Sequence, residues 1–420
     1  MKKLLIIYPH WPPSNLAGIH RPRLISNFIG EFGWHTTVLT VNPEFYEEKP
    51  DQDILKTVSP AVQVRYVNAF KALKRFRFFG DIGLRSFFQL YKGARKLITS
   101  DRPDFVWIPI PSFYTAVIGR LLNSRTGIPY GIDYIDPWVN GFTNLEKKFS
   151  RAWLSNAVAR ILEPFAVKNA SLISGVSVLY FQPVLDRNFK NKKIEHLGMP
   201  YGFDPNDHLI RLTNIKLPWD PVRDIKPLAY AGAFLPKSHL FIELLFKGIA
   251  ELKRSESWDK RVQLFFIGTG IYPGKTIGEY ARENGIEEIV HEKPDRLPFL
   301  EVLHLLSESA GVMIIGSTEK HYTASKVFQS LLSKKPVFAV LHSESSAVQI
   351  LRDANAADYL CTYTEGISPD DLQANLIRTF QSLVMEKSKW APQLDELDRY
   401  SARQSARLLA EKLDLICSTK

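Results

Sequence analysis

Short apolar runs alternate along most of the chain with stretches in which apolar residues recur every three or four positions. That is the pattern of parallel strands joined by crossover helices. In the first half it predicts strands at Leu4–Tyr8, Thr36–Thr40, Gln63–Val67, Phe105–Pro109, Tyr130–Tyr134 and Leu172–Ser174. Helices are expected around Pro22–Phe32, Phe87–Thr99, Tyr114–Asn123 and Leu145–Lys168, the last being the longest. Residues 204–226 carry Pro205, Pro218 and Pro221 without a clear period and read as linker. The pattern then restarts, with strands at Leu228–Ala231, Leu264–Ile267, Glu288–His291, Gly311–Ile315, Val337–Val340 and Asp358–Cys361. Helices fit at His239–Lys253, Pro298–Ser307, Ser346–Asp353 and Asp370–Glu386, and an amphipathic helix at Ser401–Leu413 follows a break at Trp390–Pro392. There is no repeat of fixed period and no low-complexity segment.

A chain of 420 residues exceeds what one core usually organises, so two domains are expected. Its 45% hydrophobic and 23% charged residues are those of a soluble globular protein, and no apolar run approaches the ~20 residues that cross a bilayer. The opening MKKLLIIYPHWPP has an apolar core only from Leu4 to Tyr8 and no small-residue cleavage site, so it reads as a buried strand rather than a signal peptide. Cys361 and Cys417 form neither a disulfide framework nor a metal pattern, which points to a reducing cytoplasm.

Charge changes the picture through its distribution. Residues 1–210 hold 27 Lys+Arg against 17 Asp+Glu, whereas the remainder holds 27 of each. Much of the surplus lies in Phe70–Ile98, where Lys71, Lys74, Arg75, Arg77, Arg85, Lys92, Arg95 and Lys96 face Asp81 alone. Phe70, Phe76, Phe78, Phe79, Phe87, Phe88 and Tyr91 are interleaved with them. Such a stretch suits nucleic acid or an anionic membrane surface, or is a solvated helix face with its aromatics buried beneath. No nucleic-acid module accompanies it, which favours the membrane between the two binding partners.

Residues Thr323–Val340, TASKVFQSLLSKKPVFAV, join a loop, a helix start and a buried strand. Val327, Phe328, Leu331 and Leu332 make one apolar helical face, and Thr323, Ser325 and Lys326 sit where that helix begins. Free backbone N–H groups, hydroxyls and a lysine together suit a phosphate, or they are an ordinary N-cap with a surface lysine.

This segment resembles the serine–lysine helix and following lysine–proline–valine strand of family 4 glycosyltransferases. FFIGTG, residues 265–270, is similar to that family's strand ending in Gly-x-Gly, and GMPYGFD, residues 198–204, falls where the family has its interdomain segment. The opening PHWPPSNLAGIHRPRLISNFIGEFGWHTTVLT resembles its first strand, glycine loop and helix. The resemblance implies the GT-B fold: two Rossmann-like, doubly wound parallel-sheet domains facing a central cleft, with a C-terminal helix crossing back to the first. The expected division is an acceptor domain at 1–203 with 399–420, a linker at 204–226 and a donor domain at 227–398.

Strand ends are where open parallel sheets bind ligands. In the second domain three loops qualify. Ala231–His239 offers Gly232, Phe234 and Lys237; Gly268, Thr269 and Gly270 allow close backbone approach or make a plain tight turn; Thr318–Lys326 leads into the helix. The resemblance assigns a nucleotide-diphosphate site to Gly232, Phe234, Lys237, Gly268, Thr269, Gly270, His321, Thr323, Ser325, Lys326 and Gln329. In the first domain Gly18 and Arg21 are carried over as acceptor-side residues, beside His20, which is otherwise a surface histidine. Asp136 and Trp138 follow the strand Tyr130–Tyr134; the tryptophan either stacks on a sugar or lipid carrier or fills the core.

Sugar transfer requires stabilising a leaving diphosphate and an oxocarbenium-like centre, which positive charge and N–H donors achieve. Asp136, Lys237 and Lys326 are the catalytic candidates. Asp133 and Asp136 are unconvincing as a metal pair, and no cofactor or metal is expected. Several family positions differ here: His321 and Gln329 stand where glutamates are usual, Ala233 replaces an arginine, Lys237 is one place off a lysine, and Ile135 replaces the histidine before Asp136.

The resemblance thus implies a retaining glycosyltransferase, moving a sugar from a nucleotide-sugar donor to a glycan or lipid-linked acceptor in cell-surface polysaccharide assembly. It would work in the cytoplasm, peripheral to the inner membrane face. The alternative is a sugar-nucleotide-binding or scaffolding partner of the same fold. A nucleotide-sugar epimerase would need several acid–base carboxylates, for which there are few candidates.

Overall fold

The computed structural model describes residues 1–72, 81–139, 150–190, 193–213, 215–234, 237–255, 258–271, 274–318, 326–387 and 389–418. They divide into two compact units, Met1–Asp204 with Tyr400–Lys420, and Pro205–Arg399.

Each unit is built on one parallel sheet. In the first, β1 (Lys2–Ile7), β2 (Trp34–Val41), β3 (Gln63–Val67), β4 (Phe105–Ile110), β5 (Tyr130–Tyr134), β6 (Leu172–Gly175) and β7 (Glu195–Gly198) lie in the order β3-β2-β1-β4-β5-β6-β7. In the second, β8 (Lys226–Ala231), β9 (Val262–Ile267), β10 (Val290–Lys293), β11 (Gly311–Ile315), β12 (Val337–His342) and β13 (Leu360–Tyr363) run β10-β9-β8-β11-β12-β13. Central strands are buried on both faces, so apart from Asp133 in β5 and His342 at the end of β12 they read as apolar runs. The strand order reverses once in each sheet, between β1 and β4 and between β8 and β11. Ligand crevices of open α/β sheets form at the carboxyl ends of the strands beside such a reversal.

Besides the helix Val178–Asn188, which the pattern did not predict, two further elements were not legible as apolar runs. The edge strand β7 has only Leu197 as an apolar side chain, and its first two residues are exposed. The helix Ile277–Glu283 is short and rests on its start: the Thr276 hydroxyl accepts from the Glu279 N–H, and the Glu279 carboxylate accepts from the Thr276 N–H. The strand expected at Glu288 begins at Val290, after a 3-10 turn over Glu287–Ile289. The long helix expected from Leu145 spans Arg151–Val167, with Ser150 capping it; residues 145–149 lie outside the described ones.

The C-terminal helix Ala402–Ser418 belongs to the first unit and packs on the helix His20–Phe28. Its buried stripe includes Ala402, Ala406, Leu409, Ala410 and Leu413, and the alanines permit close approach. Asp414 accepts from the Lys2 ammonium at 2.8 Å and from the Trp34 indole at 3.1 Å. Lys412 reaches Glu195 of β7 at 2.7 Å.

A buried polar chain ties this unit together. Arg21 and Asp133 are fully buried and doubly bonded, Nε to Oδ2 at 3.0 Å and Nη2 to Oδ1 at 3.2 Å. Arg21 Nη1 also donates to the carbonyls of Met199 and Pro200. The Ser174 hydroxyl donates to Asp133 at 2.7 Å and accepts from the Trp107 indole at 3.2 Å. Removing one partner of a buried pair strands the other charge. Arg21→Met is therefore expected to cost about 3–5 kcal/mol in urea unfolding, and Arg21→Met combined with Asp133→Leu to cost less than Arg21→Met alone.

Candidate functional site

At the β8/β11 reversal of the second unit, three residues converge. Tyr230 stands near the end of β8, and its hydroxyl donates to the Ala233 carbonyl at 2.7 Å. Lys326 opens the helix Lys326–Leu332. Its ammonium lies 4.5 Å from the Tyr230 ring centroid and donates to the Tyr230 hydroxyl at 3.2 Å. Gly232, at φ +135°, leaves the room this requires: a Cβ there would overlap Lys326 Cε and Nζ. Burial pushes the Lys326 ammonium down to about 8. No carboxylate among the described residues pairs with it. A desolvated cation held by a ring face and one hydroxyl is under-compensated, and an anion would relieve it.

The other residues predicted for this unit are placed differently. Phe234 is 6% exposed and meets His239 edge-on at 4.7 Å, so it is a core side chain rather than a platform for a base. Thr269 is buried, with its hydroxyl donating to Glu292 at 2.7 Å. Gly268 and Gly270 adopt φ +73° and +79°, and their N–H groups donate to the Lys293 and Pro294 carbonyls. The loop is thus a tight turn whose two glycine donors are spent, although space remains beside Gly270. The Gln329 amide oxygen is 2.7 Å from His208 Nε2, which engages it within the unit. Burial lowers the pKa of His208 and keeps the ring neutral. Lys237 is exposed; its carbonyl accepts from the Thr318 N–H at 3.2 Å, which joins the loops after β8 and β11. His321, Thr323 and Ser325 lie outside the described residues.

In the first unit, Arg21 is a correction. Its fork of donors is spent on Asp133 and two carbonyls, so it is not available to a phosphate. Asp133 is likewise no partner for Asp136 in holding a metal. Trp138 is 6% exposed and stacks on Phe113 with ring planes 5° apart, filling the core. His20 is half-buried, its Nδ1 3.3 Å from Arg23 Nη2 on the same helix. Gly18 is needed because a Cβ would overlap the Tyr8 hydroxyl. Asp136 is exposed after β5, and surrounding bulk raises its carboxyl pKa.

Sequence reasoning passed over the polar cluster that surrounds these positions. Tyr8, His10, Ser14, Glu48, Asp81 and Ser112 gather at the carboxyl ends of β1 and β4. Asp81 caps the helix Ile82–Arg85 and receives a bond from Ser112, and burial raises its pKa. The available signal was the density of polar residues just after the first strand, in PHWPPS. Tyr230 was also missed; a tyrosine two residues before a strand-end glycine marked it.

Of the basic stretch Phe70–Ile98, Arg85 points inward to Glu47 and the Phe70 and Phe45 carbonyls, while 73–80 lie outside the described residues. Lys92, Arg95 and Lys96 share the exposed face of the helix Phe87–Ser100 with Phe88, which is 64% exposed. No helix among the described residues is long and apolar enough to cross a membrane.

Lys326 makes a prediction about stability. Its folded pKa of about 8 lies below the ordinary 10.5, so between these values the unfolded chain binds more protons than the folded one. Stability should therefore rise as pH increases from about 8 to 10.5. Lys326→Met should remove that rise and increase stability at pH 7, as read by urea midpoints across this range.

No protein-family model matches the chain, and no curated protein is similar to it by sequence. Solved structures are similar over nearly its whole length. HepE from Anabaena in complex with UDP-glucose has a TM-score of 0.60 at 16% identity, covering 99% of this chain and 100% of HepE. The trehalose-6-phosphate synthase OtsA has 0.64 at 12% identity, covering 98% and 99%. WaaG, a glycosyltransferase involved in lipopolysaccharide biosynthesis, has 0.54 at 13% identity, covering 97% and 95%. With two all-parallel α/β sheets of seven and six strands and a C-terminal helix returned to the first unit, the chain has the GT-B glycosyltransferase fold.

Proposed function

We propose that the chain transfers a sugar from a nucleotide-sugar donor to a glycan or lipid-linked acceptor in cell-surface polysaccharide assembly. The observation that carries this reading is the desolvated Lys326 ammonium at the β8/β11 reversal, with Gly232 cleared beside it. A leaving diphosphate supplies the negative charge that such a cation lacks, and charge developing on it in the transition state strengthens the contact. HepE, of the same fold, holds UDP-glucose. Lys237, on the loop joined to Thr318, is the second cation proposed for the diphosphate. Asp136 and Gly18 remain acceptor-side candidates in the first unit. No metal is invoked, since a lysine pair suffices for the leaving group.

Retention of configuration, which the resemblance implies, rests on the departing diphosphate taking the acceptor's proton. A non-catalytic sugar-nucleotide-binding partner is the second reading, favoured by Ala233 and by Gln329, whose amide oxygen is engaged by His208.

We also propose that Lys71, Lys92, Arg95 and Lys96, with exposed Phe70 and Phe88, rest on an anionic membrane surface. Basic side chains supply attraction to the lipid headgroups, and the aromatics add buried area.

A thermal-shift screen of nucleoside diphosphates should find one that raises the melting midpoint. That shift should shrink as pH is raised through about 8, where Lys326 loses its proton. Lys326→Ala with Lys237→Ala should abolish both the shift and release of diphosphate from the matching nucleotide sugar. Binding without any sugar release by the wild type would favour the non-catalytic partner. Sedimentation at low salt should recover the protein with anionic but not neutral vesicles, and Lys92→Glu with Arg95→Glu should leave it in the supernatant.

A further inference from the structure

Three carboxylates gather at the carboxyl ends of the first sheet's central strands. Glu48 is bonded to His10, which follows β1; Asp81 is bonded to Ser112, which follows β4; Asp136 follows β5. Among the described residues no lysine or arginine bonds any of them, although residues 1–210 carry 27 Lys+Arg against 17 Asp+Glu. His10 Nδ1, at 3.1 Å, and the Ser14 hydroxyl both reach Glu48 Oε1, which leaves Oε2 without a side-chain bond from the described residues. Burial raises the Glu48 pKa, but these bonds bring it down to about 2, so the group is ionised. Asp81 accepts from the Leu84 N–H at 2.9 Å and from Ser112 at 3.4 Å, and burial raises its pKa. Asp136 receives no hydrogen bond from the described residues, and the bulk around it raises its pKa unopposed. This is negative charge partly withdrawn from water and given too few donors.

A hydroxyl is aimed at the same place. Tyr8, just after β1, is 2% exposed, and its O–H makes no hydrogen bond with the described residues. It feels the charges of Asp136, Asp81 and Glu48 together. Gly18 clears its position, since a Cβ there would overlap the Tyr8 oxygen. The loop that carries Glu48 is held in place by Tyr46, whose hydroxyl accepts from the Trp11 N–H and donates to the Val41 carbonyl, both at 3.0 Å. A buried phenol left unpaired costs free energy until a ligand completes it. An ammonium supplies what is missing here: three N–H donors and a full positive charge. Carboxylate oxygens accept from it in charge-assisted bonds, and the phenol oxygen accepts another. A neutral sugar brings hydroxyl donors but no charge, and a phosphate meets repulsion.

We propose that this cluster binds a primary ammonium group, held by Glu48, Asp81, Asp136 and the Tyr8 hydroxyl. The site lies wholly within the first unit. His10 is the one base bonded to any of the three carboxylates among the described residues, and it positions Glu48 from the side opposite the free Oε2. The glycosyl-transfer reading adds one further step, which rests on it: the ligand is then an acceptor whose terminal sugar carries a free amine.

The test uses the full chain in an amine-free buffer, at a pH where the probe amines are protonated. Ligand-observed NMR compares glucosamine and galactosamine with glucose and N-acetylglucosamine. The two amino sugars should bind about tenfold or more tightly than the two neutral ones, the worth of one charged hydrogen bond. Asp136→Asn and Glu48→Gln should each weaken glucosamine by about tenfold and leave glucose unchanged. If Glu48→Gln lowers the melting midpoint of the unliganded protein, the exposed Asp136→Asn decides. Lys326→Ala, in the second unit, should leave the amine affinity as in the wild type. Equal binding of amine and neutral sugars, no binding of either amine, or a wild-type affinity in Asp136→Asn would overturn the site. Displacement of glucosamine by an equal concentration of magnesium would overturn the ammonium assignment in favour of a metal ion. The nucleoside-diphosphate thermal shift reads the transferase separately. Amine binding without that shift keeps the site and removes the acceptor; the shift without amine preference removes the site and leaves the transferase reading.

Discussion

The first unit depends on one buried ion pair. A guanidinium taken out of water is costly unless its donors are matched. Arg21 meets both oxygens of Asp133 and two carbonyls from the segment after β7. Through Ser174 and Trp107 the same network spans β4, β5 and β6. The segment held by Arg21 continues into Tyr201, whose hydroxyl donates to the Ala17 carbonyl in the turn before the helix His20–Phe28. The glycine turn over Tyr8 is thereby fixed from both sides, and so is the floor of the polar cluster at the end of β1. A charge that orders the scaffold cannot also greet a ligand.

The second unit uses charge in the opposite way. Lys326 is desolvated but given only a ring face and one hydroxyl, both weaker partners than a carboxylate. The cost appears as a lowered pKa rather than as a closed pair. On the proposed reading, stability forgone in the unliganded protein would return on binding an anion, which is how a site favours one charge type. Gly232 shows that the backbone has been shaped for this side chain, since any Cβ would displace it.

Sheet architecture was legible because buried parallel strands are continuous apolar runs whatever surrounds them. Gly311–Ile315 is such a run and matches the expected bounds, as do Tyr130–Tyr134, buried throughout but interrupted by Asp133, and the largely exposed edge strand Gln63–Val67. Side-chain destinations were less legible, because residue type states what a group can do and not which partner claims it. Arg21 has the chemistry of a phosphate clamp, yet Asp133, 112 positions away, takes it. Trp138 and Phe234 could stack on a ligand, but the core has them. Thr269 could face a phosphate, but Glu292 accepts its proton. The His10–Glu48 pair escaped notice for the same reason: its members are 38 positions apart, on loops without a motif. Lys326 was found because its segment joins helix start and buried strand in one short run.

The first unit is discontinuous, with all of Pro205–Arg399 interposed before its last helix. During translation its seven strands leave the ribosome early, but Trp34 and the helix His20–Phe28 lack their cover until residues 402–418 emerge. The second unit, encoded without interruption, can complete its core in that interval. The nascent chain therefore carries an open apolar flank through the synthesis of an entire domain, a period when chaperones have most to shield.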